Sequence, residues 1–338
     1  MFRNRKAKDA LFTFAFPLAM FVLMELLCFF LKGRHLVGSL LDVKTLVRNT
    51  GISAIIAFAL SFNLSCGRFD LSLGAQRLAG TIIGGMIAME LGLSGLWFLL
   101  FSFLCGLVFG FITGMVFVIT RVPPMVLGVG IGLVWECVPY TMSKGKGLNL
   151  FGVHGTEILT DTVFTIAVMI VVAVFVSLIM NRTKFGYEMK AIQGSQLIAR
   201  NSGINIFRHA VLCYMFAGGL VCVAGIIDAA FQTQMSSTMG LASNGVVVSN
   251  MFAMMLGGYI GERSNQATGV IVASLTLNLF SYGLTLMELS EANTSVVNQT
   301  VFVLFLVFLA NRYYFRKRKA EKARIEQALE QRRIMSVA

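Results

Sequence analysis

Long apolar runs separated by short polar segments make up most of the chain up to about residue 311. A window of about 20 residues, which is the length of helix that crosses roughly 30 Å of hydrocarbon, locates about ten of them. They lie near 11–31, 46–63, 71–90, 95–119, 123–142, 162–180, 209–230, 244–260, 268–287 and 296–311. The third and eighth runs have the weakest signal because they are glycine-rich and flanked by polar residues. The pattern predicts an all-α, polytopic membrane protein.

The composition supports this class. The chain has 338 residues, of which 57% are hydrophobic and only 13% charged, with a mean hydropathy of +0.78. A soluble core of this size could not bury so much apolar surface. No small-residue cleavage pattern follows the first run, so we expect an anchor and not a signal peptide. The predicted organisation is an N-terminal segment at 1–10, one transmembrane domain at 11–314, and a charged tail at 315–338.

The distribution of lysine and arginine predicts the orientation. With the N-terminus inside, 22 of the 28 Lys and Arg residues fall on the cytoplasmic side, Arg68 and Arg77 among them. The positive-inside rule therefore favours two cytoplasmic termini. We attribute the net charge of +12 to this topology and to anionic lipid, and not to a nucleic-acid surface.

Motifs for cofactor chemistry are missing from the sequence. The cysteines mostly fall within predicted spans and form no C-x-x-C pair, which favours buried free thiols over metal or disulfide chemistry. The three histidines, His35, His154 and His209, are too scattered for an H-E-x-x-H zinc helix, and no G-x-x-x-x-G-K-[ST] loop is present. We therefore expect no metal, no cofactor and no ATP site in this chain.

Segment 63–75, N-L-S-C-G-R-F-D-L-S-L-G-A, places an arginine and an aspartate between two apolar runs. An ionisable group at the centre of a membrane helix costs about 2.5–3.5 kcal/mol, so one held at depth usually lines a cavity. Asp70 precedes helix-compatible residues and can cap the next helix, a role that we favour over direct contact with solute. The residues expected to form this helix break and the translocation core are Asn63, Gly67, Asp70, Ser72 and Gly74.

Few other acidic residues lie at membrane depth. Glu25 has no evident partner in the sequence, and Glu90 and Asp228 are expected at solvated span ends. Trp135 and Glu136 belong to a glycine-rich run that begins with two prolines, which is a reasonable wall for a polar pathway.

The longest interior polar segment, residues 181–208, is too short for a domain. Its length and its short amphipathic stretch near 196–201 predict one or two small helices along the membrane face.

Two motifs resemble those of the permease subunits of ribose-type sugar ABC importers. The sequence C-G-R-F-D-L-S-L-G at 66–74 is similar to the family's G-G-x-D-L-S-V-G after the second span. Segment 191–204 is similar to A-I-G-G-N-x-x-A-A-R-x-S-G-I, with Ser195 and Ile198 in place of the usual Asn and Ala. A third family motif, G-G-x-S-L-x-G-G-x-G, keeps only its first glycine pair here, at 257–258. The resemblance spans residues 11–314 and indicates a divergent member.

The resemblance implies both a function and a set of partners. Segment 191–204 would be the coupling helix that docks on a cytoplasmic ATPase subunit, which binds the ATP. An extracytoplasmic solute-binding protein and a second permease copy, or a paralogue, would complete an importer of a small polar solute, which we expect to be a monosaccharide, in the bacterial cytoplasmic membrane. The residues carried over for coupling are Ala191, Gly194, Ala199, Arg200, Ser202 and Gly203.

Other functions remain open at this point. An ion-coupled secondary transporter would use Glu25, Asp70 or Glu136 to carry protons, and a membrane scaffold would need no transport at all. The lack of a nucleophile with a base, or of a metal cluster, argues against an enzyme.

An inverted repeat is also suggested by the sequence. Segments 71–85 and 241–258 each run from a polar break through an apolar helix to a glycine pair. The second break would be polar, and its amides and hydroxyls could bind a sugar or satisfy broken backbone. Its members are Gln232, Gln234, Ser236, Ser237, Ser243, Asn244 and Asn250, of which Gln232, Gln234, Asn244 and Asn250 join Trp135 and Glu136 as the candidate pathway.

Overall fold

A computed structural model describes residues 2–290 and 292–311, with side chains from residue 11 onward. Almost all regular structure in this part of the chain is helical. The helices are α1 (Phe2–Lys32), α2 (Leu40–Leu64), α3 (Leu73–Glu90), α4 (Leu96–Thr120), α5 (Pro124–Met142), α6 (Glu157–Thr160), α7 (Thr162–Arg182), α8 (Lys184–Gly194), α9 (Gln196–Asn201), α10 (Ile206–Gln232), α11 (Asn244–Gly261), α12 (Gln266–Leu286) and α13 (Ala292–Asn311). Two short antiparallel strands pair with each other, β1 (Leu148–Asn149) and β2 (Gln234–Met235).

The prediction of an all-α polytopic membrane protein is confirmed. Eight of the described helices are long and apolar enough to cross a membrane: α1 from Leu11 onward, α2, α4, α5, α7, α10, α12 and α13. The two remaining predicted spans are the helices α3 and α11, of 18 residues each. They are less apolar because α3 buries Gln76 and Arg77, and α11 carries Asn244 and Asn250.

Capping residues set the starts of several helices. Ser39 and Asp42 form a capping box, so α2 begins six residues before the predicted 46. Thr183 caps α8 by accepting from the N–H of Gly186, and Ser195 caps α9. The interior segment thus contains two short helices, as its pattern predicts.

Helix α10 lies at the centre of the fold and packs against α2, α3 and α4. Small residues allow the backbones of α4 and α10 to touch, because a Cβ at Gly106 or at Gly218 would overlap the carbonyl of the other residue. Close approach of small residues is the usual basis of helix packing in membranes.

The chain divides into two compact units, residues 1–287 and 288–338. The second contains α13, on which Phe305 and Phe308 stack with ring centroids 6.4 Å apart. Most of it, including the predicted tail at 315–338, lies outside the described residues. The assignment of 11–314 to a single domain stays a prediction.

Several charged side chains have partners that the sequence does not reveal. Glu25, for which the sequence shows no evident partner, accepts hydrogen bonds from His35 Nδ1 at 2.7 Å and from the Leu36 N–H at 2.8 Å. Asp228 lies near the end of α10 but pairs with Arg77 on α3. Arg68 and Arg77 are both buried, at 3% and 9% exposure, so neither acts as a loop charge in the topology count.

Candidate functional site

Two interruptions of the helical structure, residues 65–72 and 236–243, meet inside the protein. Helices α3 and α11 begin immediately after them. A Cβ on Gly74 would overlap the carbonyl oxygen of Ser243 and lie 3.3 Å from the Asn244 nitrogen, so the first turns of the two helices touch. Two helix N-termini therefore share one location, and each has N–H groups without a partner inside its helix and a partial positive charge.

A buried carboxylate serves the first of these N-termini. Asp70 Oδ1 accepts the Ser72 N–H at 2.8 Å and the Ser72 hydroxyl at 2.6 Å, and its Oδ2 accepts from Asn63 Nδ2 at 3.4 Å. Ser72 holds the formal cap position of α3 but makes no side-chain cap bond itself. Asp70 thus holds the turn that enters α3, and its role in contacting solute stays untested.

A second buried carboxylate, on a different helix, accepts hydrogen bonds at the N-terminus of α11. Glu136, on α5, is 0% exposed and accepts the Leu241 N–H at 2.8 Å. Its other oxygen accepts the Ser243 N–H at 3.0 Å and the Ser243 hydroxyl at 2.5 Å. Each break is therefore held by one carboxylate.

Both breaks pack against one face of helix α5, along residues that are spaced four apart. A Cβ on Gly128 would lie 2.7 Å from the Leu71 nitrogen, so the first break packs directly on that glycine. Gly132 faces Ser72 and Leu241, one from each break, and Glu136 follows one turn later. The glycines of α5 thus allow the close approach that lets Glu136 reach α11.

A hydrogen-bond network supports the centre from α4. Gln76 Nε2 donates to Ser72 Oγ at 2.8 Å and to Thr113 Oγ1 at 3.3 Å, and Trp135 Nε1 donates to the same threonine at 2.9 Å. Trp135 is 8% exposed. The tryptophan and Glu136 therefore lie inside the protein in this structure, and their predicted place on a pathway wall stays a prediction.

A polar cavity of about 270 Å³ lies between α2, α3, α10, α11 and α12. Its polar lining residues are Asn49, Ser53, Arg77, Asp228, Ser249, Asn250, Asn278 and Ser281. Arg77 and Asp228 neutralise each other, and Ser53 Oγ donates to Asn250 Oδ1 at 2.6 Å. The cavity consequently offers donors and acceptors without a net charge.

Of the predicted pathway residues, Asn250 lines this cavity. Gln232 donates to Asp228 Oδ1 at 2.8 Å from the end of α10, Gln234 lies in β2, and Asn244 opens α11. Our sequence reasoning missed the polar faces of α2 and α12. Their signal is visible in the spacing of Asn49 and Ser53, four apart, and of Asn278 and Ser281, three apart, within otherwise apolar helices.

A larger cavity of about 620 Å³ separates the first break from the segment that resembles a coupling helix. Gly67 and Arg68 line it from the break, and Gln196, Arg200 and Gly203 line it from α9 and the turn after it. The Gln196 side chain also crosses directly to the break, where its Nε2 donates to the Cys66 carbonyl at 3.2 Å.

The other predicted coupling residues surround α8 and α9. Ala191, Gly194 and Ser202 are exposed, as are Arg200 and Gly203, whereas Ala199 is buried. Gly203 has a φ of +83°, a left-handed conformation that favours glycine and ends α9. Gly67, in the first break, has a φ of +73° and so adopts the same left-handed conformation.

Large apolar side chains project from these two short helices. Tyr187 on α8 is 62% exposed, and Leu197 and Ile198 on α9 are 70% and 67% exposed. Adjacent exposed apolar residues on a polar segment are typical of a protein-binding surface.

Comparison with known proteins identifies the family to which the chain is similar. The profile of a family described as "Branched-chain amino acid transport system / permease component" matches residues 44–309. Ribose import permease proteins of Haemophilus influenzae and Bacillus subtilis are 24% and 26% identical over 286 and 274 residues, covering 80% and 78% of this chain and 85% and 83% of theirs. A fructose import permease protein of Rhizobium meliloti is 22% identical over 260 residues, covering 72% of this chain and 70% of its own.

Proposed function

Because the chain belongs to the family of branched-chain amino acid transport system permease components, which are not themselves enzymes, we propose that it is the transmembrane permease subunit of an ABC importer for a monosaccharide. The observation that carries the proposal is the direct link between the coupling segment and the helix break. Gln196 of α9 bonds to the backbone of Cys66, and both segments line one cavity.

Two observations support a monosaccharide as the solute: the solutes named for the relatives and the polar lining of the smaller cavity. The relatives named above are ribose and fructose import permeases. The cavity presents amides, hydroxyls and an internally neutral ion pair, which can exchange hydrogen bonds with a polyol without an unpaired buried charge. We place the solute pathway along this cavity and past the meeting point of α3 and α11.

The ATPase subunit would act on the permease at α8 and α9. A cytoplasmic ATPase subunit would cover Tyr187, Leu197 and Ile198, and its closure on ATP would displace α9. The Gln196 bond would carry that displacement to residue 66, and Asp70 would carry it to the start of α3. Because Gly74 touches Ser243, the start of α11 would move as well.

The proposed function implies the orientation of the chain and the other subunits of the importer. Helices α8 and α9 face the cytoplasm, together with both termini, in the cytoplasmic membrane. A second permease subunit would complete the pore, and an extracytoplasmic binding protein would deliver the sugar and set most of the specificity.

The first test uses the complex reconstituted with its ATPase and binding protein. Replacing Leu197 and Ile198 together by serine should abolish co-purification of the ATPase and ATP-driven uptake of ribose or fructose. The matched control is Phe151→Ser, which removes an apolar side chain that is 80% exposed but lies outside α8 and α9. This control should retain the ATPase. Equal ATPase binding by both variants would contradict the docking surface.

The alternative of an ion-coupled transporter makes the opposite prediction. Uptake in vesicles would follow a proton or sodium gradient and would not need ATP. The carboxylates proposed for it, Glu25, Asp70 and Glu136, are each occupied by at least two hydrogen-bond donors, which favours fixed roles over proton exchange. Gradient-driven uptake without the ATPase would overturn the importer proposal.

A further inference from the structure

Three metal-ligating side chains that are far apart in sequence come together beside the first break. Cys66 lies in the break, and His209 and Cys213 lie four residues apart on one face of α10. Their ligand atoms are all within 4.8 Å of one another. Cys66, His209 and Cys213 are 2%, 1% and 0% exposed, so the cluster is shielded from solvent.

The histidine is oriented towards the thiols. Its Nε2 lies 3.3 Å from the Phe185 carbonyl, and its ring stacks on that of Phe185 with centroids 4.3 Å apart. These contacts leave Nδ1 on the side of Cys213, whose Sγ is 3.4 Å away. A backbone carbonyl bound to the distal ring nitrogen is the usual support of a metal-ligating histidine.

A buried arginine supplies positive charge next to the cluster. Arg68 is 3% exposed, and its Nη2 donates to Cys213 Sγ at 3.3 Å. Its Nε has no hydrogen-bond partner, and no Asp or Glu in the described part of the chain forms an ion pair with it. The guanidinium therefore has no carboxylate within ion-pair distance among the described residues, which is costly for a buried charge.

We propose that Cys66, His209 and Cys213 bind a soft, thiophilic metal ion, Cu(I). Two thiolates and an imidazole match the ligand preference of Cu(I) and of zinc. The charge decides between them. Binding of Cu⁺ releases two thiol protons and leaves a complex of charge −1, which the adjacent Arg68 neutralises. Zn²⁺ with the same ligands would form a neutral complex and leave the charge of the guanidinium unbalanced.

The site would join the first break to α10 through a metal bridge. It does not depend on which solute is carried or on whether an ATPase docks, so its test and that of the proposed function are separate. No spacing motif in the sequence joins these three residues, because position 66 is far from positions 209 and 213.

The test measures Cu(I) affinity of the purified full-length protein under anaerobic, reducing conditions, with bicinchoninate as the competing chelator. We expect one tight equivalent of Cu(I) and weaker binding of Zn(II). Cys66→Ser should lower the Cu(I) affinity by more than about 100-fold, since loss of even a supporting residue around a metal ligand costs about 10–100-fold. Thermal unfolding of each variant without metal checks that it is folded.

The matched control is Cys222→Ser, which changes a buried thiol on the same helix that donates to a backbone carbonyl. It should keep the tight site. His209→Gln is a second, independent variant, and X-ray absorption of its copper complex should lose the nitrogen ligand that the unaltered protein shows. Equal losses in Cys66→Ser and Cys222→Ser, a copper shell without nitrogen in the unaltered protein, or tighter Zn(II) than Cu(I) binding would overturn the proposal.

Discussion

Asp70 and Glu136 each accept hydrogen bonds from the backbone N–H groups that precede or begin a helix inside the protein. Such groups cannot be satisfied by lipid, and leaving one unpaired in an apolar environment costs several kcal/mol. A buried carboxylate is also costly, but here it meets two N–H or O–H donors at 2.5–3.0 Å together with the positive end of a helix. At the residue scale, each charge and each break therefore stabilise the other.

The substitution Glu136→Gln tests whether the carboxylate stabilises the second break. The amide keeps one acceptor but turns an NH₂ group towards an N–H donor of Leu241 or Ser243, so a charge-assisted bond is lost. Since such bonds contribute about 1.5–3 kcal/mol, we expect the free energy of unfolding to fall by about 2 kcal/mol. The measurement is unfolding by denaturant in detergent micelles. Glu157→Gln, at an exposed position on α6, should change little, and equal effects of the two substitutions would refute the capping role.

At the scale of helices, hydropathy predicts where apolar elements lie but not how their ends meet. All ten predicted spans are helices, because length and apolarity are local properties of the sequence. The pairing of Arg77 with Asp228 joins positions 151 apart, and the contact of Glu136 with Ser243 joins positions 107 apart. No periodicity within one helix encodes such contacts. The break itself was predictable because its glycines and aspartate are adjacent in sequence.

Gly74→Ala tests the meeting of α3 with α11. The added methyl group would overlap the Ser243 carbonyl, and the backbone cannot move aside without disturbing the Glu136 bonds. Overpacking of this kind costs about 1–3 kcal/mol, and we expect a fall of that size in the free energy of unfolding together with loss of uptake. Gly130→Ala on α5 is the matched control, since nothing lies within 4 Å of its added carbon. A stable, active Gly74→Ala variant would show that the two helices do not meet.

At the scale of the whole molecule, the larger cavity lies between α9 and the first break, and α9 is anchored in the apolar core through Ala199. The side chain of Gln196 spans this gap to the Cys66 carbonyl. From there the path runs along the chain to Asp70 and across to α11 through the contact at Gly74. This is a physical route between two sites, and its energetic coupling has to be measured by substitution.

Gln196→Met removes the hydrogen bond but keeps a long side chain in the cavity. A single neutral hydrogen bond contributes about 1 kcal/mol, so we expect the number of sugar molecules transported per ATP hydrolysed to fall about fivefold. ATPase binding should persist, because Leu197 and Ile198 still form the exposed surface. The control is Gln193→Met, which alters an exposed amide on α8 and should leave this ratio unchanged. Parallel loss of ATPase binding and transport in Gln196→Met would instead place Gln196 in the docking surface, and an unchanged ratio would show that coupling bypasses the break.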